Sequence, residues 1–209
     1  MNVILLVITF LLAYLLGSIP TSVWIGKAFH GIDVREHGSG NAGATNVIRV
    51  LGWKTGLPVM VIDVAKAWVA AMLPVFLHLA PAESALLTNL QILTGLTSII
   101  GHILPVFACF RGGKGVATVF GTLLAVHLPL TLVCMGVFLF VIILTGIVSV
   151  SSMTAGIAFP VLLFTVFGTP SLFLKIFSIF VAIALLITHR NNIKRLLKGE
   201  EKKLFGKKP

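Results

Sequence analysis

The sequence predicts an all-α integral membrane protein, a helical bundle of about seven transmembrane helices, on three observations. Of 209 residues, 57% are hydrophobic and only 11% are charged, where a soluble domain carries about 25% charged residues. The apolar residues fall in runs close to the roughly 20 that a helix needs to cross a bilayer. Most of the basic residues gather in a few segments between or after those runs. Helices follow because hydrocarbon offers no partner to a backbone N–H or C=O, so each span must satisfy its own.

The first run, 3–25, lacks a basic leader and is followed by polar residues of functional type, so it reads as a span rather than a secretory signal. The second, 55–79, carries Asp63 and Lys66 three apart, either a structural ion pair or a functional one. The third, 85–108, contains His102, which suits either a core hydrogen bond or a place near a site. The others are 115–127, 129–148, 153–167 and 171–188. The fourth and sixth are short, so five spans with re-entrant pieces is the alternative count. No internal repeat, soluble domain or low-complexity linker interrupts the series. The chain 1–209 therefore reads as a single transmembrane domain with a basic tail from about 189.

Charge sets the expected orientation. Lys27, Arg35, Arg49 and Lys54 lie in 26–54, Arg111 and Lys114 in "FRGGKG", and eight more cations follow His189. The connections near 80–84, 128 and 168–170 carry none. With seven spans the three basic segments fall on one side, which the positive-inside rule makes cytoplasmic. The N-terminus is then outside. A net charge of +10 would suggest nucleic acid in a soluble protein. Here half of the sixteen cations sit in the last twenty residues, after a membrane helix. Anionic membrane lipid is the expected partner of such a tail, not nucleic acid. The segment from about Gly199 onward is expected to face lipid and to be dispensable for turnover. Cys109 and Cys134 fall near opposite membrane faces, so no bridge is expected.

Three polar segments carry the candidate chemistry: "HGSGNAGATN" at 37–46 with Arg49 after it, "RGGKG" at 111–115, and "HRNN" at 189–192. The same orientation allows them to line one pocket at the cytoplasmic boundary. "GSGNAG" matches a dinucleotide fingerprint in letters only, because no βαβ unit surrounds it. "GGKG" fails as a P-loop, since Gly115 follows Lys114 where Ser or Thr is needed. The physics of anion binding remains. Small residues let backbone N–H groups converge, and a helix starting just after the loop adds its positive end. Ser39, Gly40, Asn41, Gly43, Thr45 and Asn46 form the first such loop, with Arg49 as a bidentate phosphate ligand. Gly112, Gly113 and Lys114 form the second. His189 and Asn192 lie three apart on one helix face. No His pair has the spacing of a helical zinc site, so no metal is expected. There is no His-x-x-x-x-Asp acyltransferase motif and no nucleophile elbow.

These stretches, with "LLGSIPTSVWIGK" (15–27), "GIDVREHGSGNAGATNVIRVLG" (31–52), "DVAKA" (63–67), "GHILPVFACFRGGKGVAT" (101–118) and "HRNNIKRLLKGEE" (189–201), resemble the bacterial acyl-phosphate:glycerol-3-phosphate acyltransferases almost end to end. Arg111 stands where that family commonly has lysine and Ala67 where it commonly has glycine. The resemblance implies a seven-span enzyme that moves a fatty acyl group from acyl-phosphate to the 1-hydroxyl of glycerol 3-phosphate, giving lysophosphatidate and phosphate. It implies no cofactor, and no obligate protein partner is predicted. It assigns Ser39, Arg49 and Lys114 to the phosphate of glycerol 3-phosphate. It assigns His189 and Asn192 to the glycerol hydroxyls, and Asn41, Thr45 and Asn46 with the loop backbone to the acyl-phosphate. Lys114, His189 and Asn192 are thereby the expected catalytic residues. How the two loops divide between the two phosphates stays open. A transporter or channel for an organic phosphate is the alternative; it would need polar residues continuing to the outer side, where the connections carry no Lys or Arg.

Overall fold

The computed structural model describes residues 2–169 and 171–204, and every regular element among them is helical. The chain divides into two compact units, 1–126 and 127–209.

In the first unit, α1 (Val3–Ser18) and α2 (Thr21–His30) form one apolar run bent by 42°. Pro20 causes the bend, because it has no N–H to continue the ladder and its ring crowds the preceding turn. The run expected as a straight span over 3–25 is therefore a broken one. After a 3₁₀ turn at Val34–Glu36 come α3 (Ala44–Leu51), α4 (Trp53–Phe76), α5 (Ala85–Ile103), a second 3₁₀ turn at Val106–Ala108 and α6 (Val116–Val126). α1 packs on α5, and α4 packs on both α5 and α6. Small residues set the first of these crossings. A methyl on Gly17 would strike the backbone of Ser98, and one on Gly101 would strike the Tyr14 carbonyl. Close approach of this kind drives helix association in lipid, where burial of apolar surface gains little. Beneath the first polar loop, Val34, Val47 and Val59 form a buried knot flanked by Ile25, Ala44 and Leu51.

The second unit runs through α7 (Leu128–Thr145), α8 (Val148–Leu162), a π-turn at Leu163–Phe167, α9 (Leu172–Thr188) and α10 (Arg190–Leu197). α7 packs on α8, and α8 on α9. α8 begins five residues before the apolar run expected at 153. Ser151 and Ser152 lower the hydropathy there, yet their hydroxyls donate to the carbonyls of Ile147 and Val148, at 3.0 and 2.8 Å. Those bonds make serine acceptable inside an apolar helix.

Among the described residues, four helices are long and apolar enough to span a bilayer unaided, and up to six spans result when each bent pair, α1–α2 and α9–α10, counts as one. All seven expected apolar runs are helical. α6, at eleven residues, reaches only about 17 Å at 1.5 Å per residue, short of the hydrocarbon core. Large side chains such as Ile143, Leu144, Phe140 and Val3 are exposed on the helices, as a lipid-facing surface requires. The chain is a multi-pass membrane protein.

Candidate active site

The first polar loop is shaped by one side chain. Asn46 is only 2% exposed. Its amide donates to the carbonyls of Val34 and His37, at 2.8 and 3.0 Å. Its oxygen accepts from the Ser39 amide at 2.7 Å and the Ser39 hydroxyl at 3.1 Å. An asparagine side chain has two donors and two acceptor lone pairs, so these four bonds use its full capacity. Gly38 and Gly40, at φ 64° and 71°, supply the left-handed turns that bring Ser39 round to it. From α2, Ser22 donates to the Ala42 carbonyl at 2.8 Å. The loop ends at Gly43, which precedes α3 without a side-chain cap, and the positive end of α3 therefore opens on the loop. Thr45 and Arg49 follow at a spacing of four on one helix face, both half-buried.

The second loop folds back on the end of α5. The Gly112 amide donates to the Ile103 carbonyl and the Gly113 amide to the His102 carbonyl, each at 3.2 Å. A methyl on Gly112 would overlap the His102 carbonyl, and one on Gly113 would overlap the His102 ring. This changes the role expected for the two glycines. Their N–H groups are engaged within the fold rather than turned to an anion, and their small size lets the chain run against α5. What they deliver is Lys114, half-buried just before α6.

A guanidinium from the 3₁₀ turn just before the first loop reaches the second. Arg35 donates through Nε to Asp33 Oδ1 at 2.9 Å and through Nη2 to Asp33 Oδ2 at 2.7 Å. Its Nη1 reaches across to the carbonyls of Ala108 at 2.9 Å and Arg111 at 3.3 Å. The hydrogen bonds from Arg35 hold the Asp33 carboxyl well below the usual carboxylate range, against the opposing effect of burial. The same pair raises the Arg35 pKa. Between the two bridged carbonyls lie Cys109 and Phe110, both in the left-handed region at φ 53° and 57°, a conformation that costs an L-residue about 1–2 kcal/mol. The spacing of Asp33 and Arg35 gave no hint of this pair, because residues two apart face each other in neither a helix nor a regular turn of one.

Below the second loop, a buried polar cluster occupies the break between α1 and α2. Asp63 takes a salt bridge from Lys66 at 2.8 Å and a hydrogen bond from the Thr21 hydroxyl at 3.0 Å. Lys66 also donates to the Ile19 carbonyl at 2.7 Å, which accepts the Thr21 amide at 3.0 Å as well. His102 Nδ1 lies 3.8 Å from Asp63. Asp63 and Lys66 thus form a structural ion pair that seals the bend, and His102 links this cluster to Gly113.

In the second unit, His189 sits at the 58° bend between α9 and α10 and is 2% exposed. Its Nδ1 lies 2.8 Å from the Leu185 carbonyl. A carbonyl only accepts, so Nδ1 carries the proton and in the neutral ring Nε2 carries the lone pair. One turn on, the buried Asn192 amide donates to Glu201 Oε1, which also accepts from the Ser149 hydroxyl at 2.9 Å. Arg195 Nε donates to Glu201 Oε2 at 2.7 Å. Burial pushes the Glu201 carboxyl up, but the hydrogen bonds from Asn192, Arg195 and Ser149 outweigh it and hold the pKa below the usual value. The Leu204 amide donates to the Gly146 carbonyl at 2.7 Å. The segment after Gly199 is therefore not the lipid-facing tail its composition suggests: as far as Leu204 it folds back on the α7–α8 turn and orients Asn192. In the sequence Glu201 stands beside Lys202 and Lys203, and a carboxylate among lysines reads as a solvated charge.

The glycerol-3-phosphate acyltransferase family profile matches residues 7–199. The glycerol-3-phosphate acyltransferase of Chlorobium luteolum is 42% identical over 223 residues, covering 93% of this chain and 95% of its own. That of Chlorobaculum parvum is 43% identical over 221 residues, covering 94% and 95%. Among solved structures, the glycerol 3-phosphate form of PlsY (YgiH), an integral membrane glycerol 3-phosphate acyltransferase, superposes with a TM-score of 0.86 at 38% identity, covering 96% of each chain. The lysophosphatidic acid form gives 0.82 at 37% identity, covering 96% of this chain and 95% of that one.

Proposed function

The chain belongs to the glycerol-3-phosphate acyltransferase family, and from that membership we propose that it transfers a fatty acyl group from acyl-phosphate to the 1-hydroxyl of glycerol 3-phosphate. The products are lysophosphatidate and inorganic phosphate. The observation that carries this reading is the tie made by the Arg35 guanidinium between the turn that leads into the first glycine-rich loop and the turn that leads into the second. Two loops with cationic side chains suit a reaction in which both substrates bear a phosphate. Long apolar helices suit a donor with a hydrocarbon tail.

In the proposed mechanism Ser39, Arg49 and Lys114 hold the phosphate of glycerol 3-phosphate, Arg49 as a fork and Lys114 as a point charge. Gly40, Asn41, Gly43 and Thr45 cradle the acyl-phosphate at the start of α3. Asn46 keeps that loop in shape. His189 and Asn192 orient the glycerol by hydrogen bonds to its hydroxyls. The 1-hydroxyl oxygen attacks the acyl carbonyl carbon, the carbonyl-to-phosphate C–O bond breaks, and the hydroxyl proton passes to a phosphate oxygen. Cations near the leaving phosphate stabilise its developing charge. The entire chain acts as one acyltransferase domain, with the loops and the C-terminus on the cytoplasmic side of the cell membrane and the N-terminus outside.

The test is direct. The purified chain in detergent receives glycerol 3-phosphate with acyl-phosphate, acyl-CoA or acyl carrier protein as donor. Phosphate release and lysophosphatidate formation with acyl-phosphate alone are expected. Turnover with a thioester donor and none with acyl-phosphate would refute the donor assignment.

A further inference from the structure

We propose that Arg35 is a positioning residue for the acyl transfer: oriented by Asp33, its guanidinium holds the strained Cys109–Phe110 turn that presents Lys114, and so couples the two glycine-rich loops. In naming a reaction this rests on the proposed function; in naming a structural cause it does not.

The geometry divides the guanidinium into two working edges. One edge, Nε and Nη2, is fixed by both oxygens of Asp33. The Arg35 amide also donates to Asp33 Oδ1 at 3.0 Å. That leaves Nη1 aimed away from the carboxylate, and its two contacts are the carbonyls of Ala108 and Arg111. These carbonyls bracket two consecutive non-glycine residues in the left-handed region. Neither cysteine nor phenylalanine has a side chain that favours that conformation, as asparagine and aspartate do. A strained segment persists only where its surroundings over-determine it. Here the bracket is supplied from the other loop. The turn's own bonds, Phe110 amide to Pro105 carbonyl at 2.9 Å and Arg111 amide to Ala108 carbonyl at 3.2 Å, close it locally but do not fix it to the first loop.

The consequence falls on Lys114. Directly after the turn, the Gly112 and Gly113 amides must register on the carbonyls of Ile103 and His102. Were the turn to relax to right-handed backbone, that register would be lost and Lys114 displaced. Lysine in place of Arg35 keeps the charge but lacks the planar fork that binds a carboxylate and two carbonyls together.

The experiment uses the full chain in detergent and two readouts, hydrogen exchange of the 106–115 segment and steady-state kinetics. Arg35→Gln and Arg35→Lys are both expected to speed exchange at Gly112 and Gly113 about tenfold or more, the equivalent of one charge-assisted hydrogen bond. Both are expected to raise KM for glycerol 3-phosphate about tenfold with a smaller change in kcat. Cys109→Gly with Phe110→Gly removes the strain, so adding this pair to Arg35→Gln is expected to restore exchange and KM to within about threefold of the parent. Unchanged exchange in Arg35→Gln overturns the proposal. So does a KM defect that the glycines fail to restore, which would make Arg35 a direct substrate ligand. If the parent chain does not use these substrates, the functional reading fails and the exchange data alone decide this one. Should Arg35→Gln not fold, Asp33→Asn, which frees the guanidinium from its fixed edge, is read by the same criteria.

Discussion

Asn46 shows how much a single side chain can carry. It closes the first loop with four hydrogen bonds while lying out of water. Replacing it with alanine strands the Ser39 amide, at a cost of about 1–3 kcal/mol, and takes one of two donors from each of the Val34 and His37 carbonyls. Asn46→Ala should therefore lower the melting temperature and weaken both substrates together, whereas loss of a ligand to one phosphate should affect one KM. Arg49→Ala and Ser39→Ala supply that contrast. Each is expected to lower kcat/KM for glycerol 3-phosphate ten- to hundredfold, as loss of a charge-assisted bond of about 1.5–3 kcal/mol implies. Wild-type kinetics in a folded Arg49→Ala protein would remove it from the site. Among the proposed substrate ligands His189 is the one imidazole, with Nδ1 committed to Leu185. The proposed proton acceptor is nevertheless a phosphate oxygen. A true base typically contributes about 10²–10⁴-fold. His189→Gln, which can still hydrogen-bond but cannot titrate, is thus expected to keep turnover within about tenfold and to retain the acidic limb of the pH–rate profile. Loss of both would identify His189 as the base.

At the scale of elements, breaks in helices do the positioning. Pro20 opens the gap between α1 and α2 that Thr21, Asp63 and Lys66 fill. The bend between α9 and α10 places His189 and Asn192 one turn apart on a buried face. The chain after α10 completes that arrangement through Glu201. A truncation after Lys198 should then abolish most activity and lower stability, because Asn192 and Ser149 lose a shared buried partner. A truncation after Leu204 should behave like the full chain. Equal activity of the two shortened proteins would show that Glu201 is dispensable. Helix existence was legible from hydropathy, since every apolar run is helical. Helix ends were less so: the serines of α8 hide its first turn, and α6 is too short to cross a bilayer alone.

At the scale of the whole molecule, two anionic carboxylates outside the membrane spans, Asp33 and Glu201, are held below their usual pKa by hydrogen-bonded cations and amides. A depressed carboxylate contributes stability above the unfolded-state pKa, near 4, and that contribution is lost as pH falls through the folded value. Thermal stability should therefore be level from neutral pH to about 5 and decline below about 4. Asp33→Asn and Glu201→Gln should be less stable than the parent at neutral pH, with the difference narrowing as the medium becomes acid. A constant difference across that range would show that their charge is not what matters.

What the sequence determined by itself is what composition and local spacing can encode: a multi-pass helical membrane protein, two glycine-rich polar segments with cations beside them, and an i, i+3 pair on the last helix. Hydropathy reports these because lipid acts on each residue nearly independently. What only the tertiary structure decided is the use of each polar group. The Gly112 and Gly113 amides turned out to bind α5, Asp63 and Lys66 to seal a helix bend, Arg35 to bridge residues more than 70 positions away, and Glu201 to orient Asn192. A hydrogen bond depends on where its partner lies within about 3 Å, and for these groups the partner is brought by helices from elsewhere in the chain, a relation that no window of adjacent residues contains.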